Sequence, residues 1–188
     1  MITDIMDGHA SKIMTLFSIS PGSKFTRNEI QEKTSMHNAP LDNALNSLVH
    51  NGILEKEKRT IFLNHRNKNA KLIVNILEDE FGRFKELPLK VYYLLMDVSD
   101  ALSTIPSIEQ AYLFGSYAKL IHNEKSDVDL AIVMRKKNRA MIDETKRAIQ
   151  KIERKYGKIV EGHFFESKDM KQKDPLIKEV LRNNVALF

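Results

Sequence analysis

Two aspartates and a glycine–serine pair are the residues whose types and spacing are best suited to chemistry. They lie in the stretch LFGSYAKLIHNEKSDVDLAIV, between two short apolar runs. Asp127 and Asp129 are two residues apart, so on a strand both side chains point to one face. Adjacent carboxylates repel each other unless a cation lies between them, and Mg²⁺ prefers such oxygen ligands together with phosphates. The pair therefore predicts a magnesium site; the alternative is two solvated acids at the start of a strand.

Gly115 and Ser116 follow an apolar strand and begin a short helix. The start of a helix presents free N–H groups to an anion, and glycine allows a phosphate to approach the backbone closely. The Ser116 hydroxyl adds a donor, and Lys119 lies one turn further on, where it can screen phosphate charge. A phosphate site beside a carboxylate metal site is the combination that phosphoryl and nucleotidyl transfer require.

This stretch resembles a known signature. Gly115, Ser116, ten further residues and Asp127-Val128-Asp129 match the G-S-x10-D-x-D pattern of the DNA polymerase beta nucleotidyltransferase superfamily. The resemblance extends over residues 90–188, whose small size and ending, DPLIKEVLRNNVALF, are similar to the minimal nucleotidyltransferases of prokaryotes. It implies transfer of a nucleoside monophosphate from an NTP, with ATP favoured and Mg²⁺ as cofactor. It also implies that Ser116 and nearby N–H groups bind the triphosphate and that the two aspartates hold the metal.

The same resemblance calls for a third carboxylate on a neighbouring strand. The segment KIVEGHFFE, residues 158–166, reads as that strand. Alternation places Glu161 and His163 on one face and leaves a more apolar face to pack on helices. Glu161 is therefore the candidate third acid, and His163 is expected beside the cleft rather than in it. The alternative is an exposed glutamate in a domain that lacks the third acid.

The second half of the chain alternates between helices and strands, which predicts an α+β nucleotidyltransferase domain with a mixed sheet over residues 89–188. A basic loop follows the aspartate strand. It could bind an RNA or protein acceptor or nucleotide phosphates, or it could be solvated; its cations are Arg135, Lys136, Lys137 and Arg139. The expected helices cover residues 90–105, 140–157 and 174–184, with a short one from Gly115, and the expected strands cover 109–114, 127–134 and 158–166.

The first half has the element order of a winged helix-turn-helix, and it is assigned to residues 1–66. Helices are expected over residues 10–19, 26–34 and 41–52, the second with a capping box formed by Thr26 and Glu29, and two strands follow in residues 53–64. Residues 67–88 are expected to be a linker helix with an apolar stripe at Leu72, Ile73, Ile76, Leu77 and Phe81. The fusion is similar to an arrangement in prokaryotic, especially archaeal, uncharacterised nucleotidyltransferases.

The residues that suit DNA are few. Winged helices read DNA with polar and basic side chains of the third helix and the hairpin. The third helix also carries Asp42 and has no lysine or arginine, so DNA binding is expected to be weak and salt-dependent. Dimerisation, including a homodimer, or protein contact is the alternative use. The candidate DNA-binding residues are Asn43, Asn46, Lys56, Lys58 and Arg59.

Composition excludes several classes of protein. The chain has 188 residues, a formal net charge of +5 and no cysteine, so disulfides, thiolate zinc sites and cysteine nucleophiles are excluded. It has no apolar run of about 18 residues, which would be needed for a transmembrane helix. The N-terminal stretch carries acids and no apolar signal core, which favours a cytoplasmic protein with no membrane partner.

Two functions remain open at this level. The first is a Mg²⁺-dependent nucleotidyltransferase that acts on a hydroxyl of a protein, an RNA or a small molecule, as in minimal relatives that are antitoxins and modify a partner toxin. The second is a DNA-binding regulator whose transferase-like domain senses nucleotide without turnover. Leu120 favours the second, because many relatives have glycine at that turn beside the triphosphate.

Overall fold

The computed structural model describes residues 6–82, 84, 86–171 and 174–188. The chain divides into two compact units, of which the first ends at Tyr93 and the second begins at Leu94. The division falls inside one helix, Leu89–Ser103. Within the described residues, no helix combines the length and the apolar character that crossing a membrane requires.

The described residues of the N-terminal unit form four helices, the start of the helix Leu89–Ser103, and a small antiparallel sheet in the order β1-β3-β2. The strand β1 is not predicted from the sequence, because three residues are too few to show an alternating pattern. The winged helix-turn-helix assignment stays a prediction. The elements are α1 (Gly8–Ile19), β1 (Lys24–Thr26), α2 (Arg27–Thr34), α3 (Asn38–His50), β2 (Leu54–Glu57), β3 (Thr60–Leu63) and α4 (Lys68–Gly82).

Local chemistry explains where these helices begin. The capping box at the start of α2 is confirmed: the Thr26 hydroxyl accepts from the Glu29 N–H at 3.3 Å, and the Glu29 carboxylate accepts from the Thr26 N–H at 2.7 Å. The helix α3 begins at Asn38, three residues earlier than predicted. Pro40 is compatible with that start, because proline is tolerated in the first helical turn.

The predicted stripe of α4 is wrong in part. The buried residues of this helix are Ala70, Val74 and Leu77, whereas Leu72 is exposed. The helix is described as far as Gly82; residues 83 and 85, on which part of the predicted continuation to residue 88 falls, lie outside the described residues. The face that packs on α1 is narrower than its apolar sequence suggests.

The C-terminal unit is α+β with a mixed sheet, as predicted. The described sheet has four strands in the order β6-β5-β4-β7. The pair β5–β6 is parallel, whereas β4 pairs antiparallel with β5 and with β7. Its elements are α5 (Leu89–Ser103, which begins in the first unit), β4 (Ile108–Phe114), α6 (Gly115–Ala118), β5 (Val128–Met134), α7 (Arg139–Tyr156), β6 (Val160–Glu166), a 3₁₀ turn (Asp169–Lys171), α8 (Pro175–Arg182) and β7 (Val185–Ala186).

The strand β5 lies inside the sheet, which explains its almost continuous apolar sequence. Its residues from Leu130 to Met134 are all buried. On one face, Phe114, Ala131 and Phe165 pack against Ile177 and Val180 of α8. The parallel pairing with β6 requires a crossover, which α7 provides. This packing fixes β5 and β6 side by side, and it leaves the second residue of each strand, Asp129 and Glu161, nearer to solvent than the buried valine before it.

Candidate active site

The parallel register of β5 and β6 brings acidic residues together at the start of both strands. Asp129 is paired with Glu161 across the two strands. The ligand atoms of Asp129, Glu161 and His163 all lie within 4.8 Å of one another. The Nε2 atom of His163 lies 3.5 Å from Oε1 of Glu161. Strand alternation predicted that Glu161 and His163 share a face, and the register adds Asp129 to them.

Asp127 is placed differently from its partner. It lies immediately before β5 and outside the group of ligand atoms that lie within 4.8 Å of one another in the described chain. It is still close enough for its charge to raise the pKa of Asp129. The two aspartates therefore contribute to one negative region, with Asp129 at its centre and Asp127 at its margin.

The pKa of Asp129 is raised above its ordinary value. Partial burial is the main cause, followed by the negative charge of Glu161, and Asp127 adds to the effect. His163 and a hydrogen bond from the Ser116 backbone N–H oppose it. A carboxylate whose charged form is disfavoured by neighbouring acids gains from a bound cation. The donor set of two close carboxylates, an imidazole and a third acid nearby therefore fits a divalent ion.

The Gly115–Ser116 turn is held against Asp129. Gly115 has a φ of +70°, in the left-handed region, and a Cβ added there would overlap the Asp129 carboxylate, with only 2.8 Å to its Cγ. The next N–H, that of Ser116, hydrogen-bonds the same carboxylate. The sequence suggested that glycine lets a phosphate approach. The structure adds a second reason for glycine at position 115, because a side chain there would prevent Asp129 from approaching this turn.

Lys119 has a partner that the sequence did not suggest. Its ammonium group forms an ion pair with the Glu179 carboxylate of α8. The side chains of both residues are about one-third exposed. Lys119 thus ties the end of α6 to α8, and any contact with phosphate would compete with that ion pair.

Leu120 occupies a backbone conformation that suits glycine. Its φ is +59°, and its side chain is 46% exposed. A left-handed conformation is strained for a residue with a Cβ. Glycine would adopt this conformation without that strain. The turn keeps its shape in this chain, since the Ile121 N–H donates to the Ser116 carbonyl at 3.0 Å.

The loop between α6 and β5 is fixed by residues that were not singled out in the sequence. The ring of His122 stacks on Tyr117, with 4.3 Å between ring centroids and 16° between planes. The ammonium group of Lys158 donates to the Glu124 carbonyl at 2.8 Å. No spacing rule connects Lys158 with Glu124, so only the fold could identify this anchor.

The basic loop after β5 is held to its own unit by one ion pair and one backbone hydrogen bond. Arg135 donates to the Glu109 carboxylate at 3.1 Å. The Lys137 backbone N–H donates to the Glu166 carboxylate at 2.9 Å. Arg135 is therefore occupied by an ion pair within its own unit. The four cations of the loop are thus not all available to bind an acceptor.

Four of the five candidate DNA-binding residues line one groove of the N-terminal unit. Asn46, Lys56, Lys58 and Arg59 surround a cavity of about 480 Å³ between α2, α3 and the β2–β3 hairpin. Asn43 lines a different depression, beside the start of α1. Asn43 and Asn46 are three positions apart on α3, so their side chains are only about 60° apart around the axis and border adjacent depressions.

Asp42, the acid that lines this groove, is neutralised by an ion pair. Asp42 accepts from Arg27 at 2.6 Å and 2.9 Å, and this ion pair lowers the pKa of the Asp42 carboxyl. The sequence analysis counted Asp42 against DNA binding. Because Arg27 balances it, the charge of the groove is set by the hairpin cations.

Residues 97–188 match a family model described as "Polymerase beta, Nucleotidyltransferase". The match contains the Gly115–Ser116 turn, both aspartates and Glu161. It supports the nucleotidyltransferase superfamily for this part of the chain and nucleotidyl transfer as the general activity. The N-terminal unit, which ends at Tyr93, lies outside the match. No curated protein matches the chain significantly.

Proposed function

We propose that the C-terminal unit transfers a nucleoside monophosphate from an NTP, with ATP expected, to a hydroxyl group of a protein, an RNA or a small molecule. The observation that carries the proposal is the arrangement around Asp129. Glu161 lies beside it on the parallel strand, and the Gly115–Ser116 turn is hydrogen-bonded to its carboxylate. A metal-ligand site and an anion-accepting turn thereby share one side chain.

The reaction breaks the phosphoanhydride bond between the α- and β-phosphates of the NTP and forms a phosphodiester bond to the acceptor. The acceptor oxygen forms a bond to the α-phosphorus, the bond from that phosphorus to the bridging oxygen breaks, and pyrophosphate leaves. Asp127, Asp129 and Glu161 would hold Mg²⁺, which when bound neutralises phosphate charge and positions the reacting oxygens. Glu161 is the more exposed of the two close acids and is assigned to accept the acceptor's proton.

The triphosphate is assigned to the Gly115–Ser116 turn. The Ser116 hydroxyl donates to a phosphate oxygen, and the absence of a side chain at Gly115 keeps the backbone accessible. Lys119 contributes a positive charge once a phosphate competes with Glu179 for it. Asp129 thereby contacts both the turn assigned to the triphosphate and Glu161, a proposed metal ligand.

The test compares NTP binding and transfer in matched variants. Asp127→Asn together with Asp129→Asn removes both charges and keeps both shapes, while Asp143→Asn changes an exposed acid of α7 in the same unit as a control. Each protein is incubated with labelled NTP, Mg²⁺ and host lysate. We expect Mg²⁺-dependent NTP binding and acceptor labelling in the parent and in the control, and neither in the double variant. Unchanged Mg²⁺-dependent affinity in a folded double variant would refute the site.

We also propose that the N-terminal unit is a winged helix-turn-helix that contacts DNA weakly. The groove between α3 and the hairpin supports this, because it collects Lys56, Lys58 and Arg59 next to Asn46, with Asp42 already paired. Cations that neutralise phosphates make binding fall steeply with salt. The alternative, a regulator that binds DNA and senses nucleotide without transfer, shares this surface and differs only in the C-terminal unit.

The DNA proposal is tested in the full chain. Lys56, Lys58 and Arg59 are replaced together by alanine, and a control replaces Lys33, Lys68 and Lys71, which are exposed and do not line the groove. Both variants lose the same charge. We expect duplex DNA binding to fall much further in the first variant than in the control. Equal losses would mean that only net charge matters, and no DNA binding by the parent would favour a protein-contact or dimerisation role.

A further inference from the structure

His163 places a nitrogen atom among the proposed carboxylate ligands. Its imidazole belongs to the group of ligand atoms that lie within 4.8 Å of one another, together with Asp129 and Glu161. Ligand atoms of one ion, bound at about 2.1 Å, lie roughly 3–4 Å apart. The Nε2–Oε1 distance of 3.5 Å between His163 and Glu161 is already in that range. Small side-chain movements would complete the geometry.

The ring of His163 is also positioned by its surroundings. It contacts Phe114 in an edge-to-face arrangement, with 5.3 Å between centroids and 70° between planes. Its side chain is 26% exposed, whereas that of Glu161 is 58% exposed. A ligand that is held in place by packing loses less conformational freedom when it binds an ion. His163 is therefore better ordered for binding than the carboxylate beside it.

Imidazole and carboxylate groups select different ions. Mg²⁺ prefers oxygen ligands, whereas imidazole nitrogen favours divalent transition ions, whose affinity for such sites rises along the series from Mn²⁺. A site of carboxylates alone distinguishes these ions only weakly. One nitrogen ligand therefore changes which ion is bound most tightly, without preventing Mg²⁺ from binding to the oxygens.

We propose that His163 is a metal-specificity residue that binds the ion through its ring nitrogen and gives this site a preference for a divalent transition ion over Mg²⁺. The proposal rests on the proposed function, because it concerns the ion of the same site. It predicts that the structure's His163–Glu161 contact is replaced by a shared metal ion when Mn²⁺ is present.

The chain offers a matched control. His122, in the same unit, also packs its ring on an aromatic side chain, Tyr117, but lies outside the Asp129–Glu161–His163 group. Phenylalanine at either position keeps a ring against the same neighbour and removes both nitrogens. Each variant removes one imidazole that packs on an aromatic ring, and only His163→Phe removes the proposed ligand. His163→Asp, which replaces the nitrogen by a carboxylate, is a further variant.

The first measurement needs no variant. Tag-free protein is given less than one equivalent of Mn²⁺ without nucleotide, and pulsed electron paramagnetic resonance detects nitrogen-14 coupled to the bound ion. We expect the coupling of a coordinated imidazole in the parent and in His122→Phe, and none in His163→Phe. Bound Mn²⁺ without nitrogen coupling in the parent would overturn the proposal and leave His163 as an ion-pair partner of Glu161. No Mn²⁺ binding would overturn it as well.

The second measurement is competition between the two ions. In His163→Phe we expect Mn²⁺ affinity to fall by at least about tenfold, and Mg²⁺ affinity to change by less than about threefold. In His163→Asp the preference for Mn²⁺ should shrink in the same way. An unchanged Mn²⁺ to Mg²⁺ ratio in both variants would refute the proposal.

These results separate the two proposals. Nitrogen coupling from His163 without any nucleotidyl transfer would contradict the proposed function and leave the metal assignment intact. Transfer with Mg²⁺ from a protein that shows no nitrogen coupling would contradict only the role of His163.

Discussion

Replacing Gly115 by alanine tests whether the turn and Asp129 form one unit. Two effects should each lower the free energy of unfolding of this variant. A Cβ in the left-handed region costs about 1–2 kcal/mol, and crowding a packed site adds about 1–3 kcal/mol. Because the added Cβ would lie only 2.8 Å from the Asp129 Cγ, both apply at Gly115. Gly115→Ala should therefore lower the free energy of unfolding by about 2–5 kcal/mol.

Gly157 is the matched control for this substitution. It has a φ of +59° at the end of α7, and a Cβ added there would have no atom within 4 Å. Gly157→Ala should therefore cost only the backbone term, about 1–2 kcal/mol. Urea unfolding of the C-terminal unit, followed by circular dichroism, gives both values. In an Asp129→Ala background the cost of Gly115→Ala should fall towards that of the control. Equal costs for the two glycines, or no relief in that background, would refute the reasoning.

Three further predictions concern the same unit. Because the pKa of Asp129 is raised from 3.8, the folded state keeps that proton to higher pH than the unfolded state, and stability falls as pH rises through this range. In the absence of divalent ions, Asp129→Asn should therefore raise the melting temperature at pH 7, and this gain should become smaller as the pH is lowered. An unchanged melting temperature at pH 7 would contradict a raised pKa of Asp129. Leu120→Gly should raise the free energy of unfolding by about 0.5–1 kcal/mol, because relief of the left-handed strain exceeds the stabilisation that glycine's extra entropy gives the unfolded chain. A variant that unfolds at lower urea concentration than the parent would contradict this prediction. Glu179→Gln should release Lys119 and tighten NTP binding by up to about fivefold in calorimetry, since an ion pair whose side chains are about one-third exposed is worth about 1 kcal/mol. Weaker binding would mean that Glu179 positions Lys119.

The sequence predicts what depends on short spacings. Asp127 and Asp129 are close in the chain, and alternation along β6 places Glu161 and His163 on one face without any knowledge of the sheet. The capping box of Thr26 and Glu29 is equally local, and it forms. In contrast, the sequence did not predict the strand β1, because its three residues gain their conformation from pairing with β3.

The sequence does not predict what depends on the register between distant segments. His163 joins Asp129 only because β5 and β6 pair in one particular alignment. The partner of Lys119 is sixty residues away in the chain, on α8. Likewise, the need for glycine at position 115 arises from a side chain of another strand. Such contacts are properties of packing, and no periodicity of the sequence encodes them.

The most direct test of nucleotidyl transfer follows two phosphorus atoms of the same substrate. The full chain is incubated with host lysate and either α-labelled or γ-labelled NTP, for the parent and for Glu161→Gln. We predict that the α-label reaches an acceptor, that the γ-label leaves in pyrophosphate, and that Glu161→Gln binds NTP normally but transfers about 100-fold more slowly. Transfer of the γ-label would contradict nucleotidyl transfer, and tight NTP binding with no pyrophosphate release would favour the regulator that only senses nucleotide.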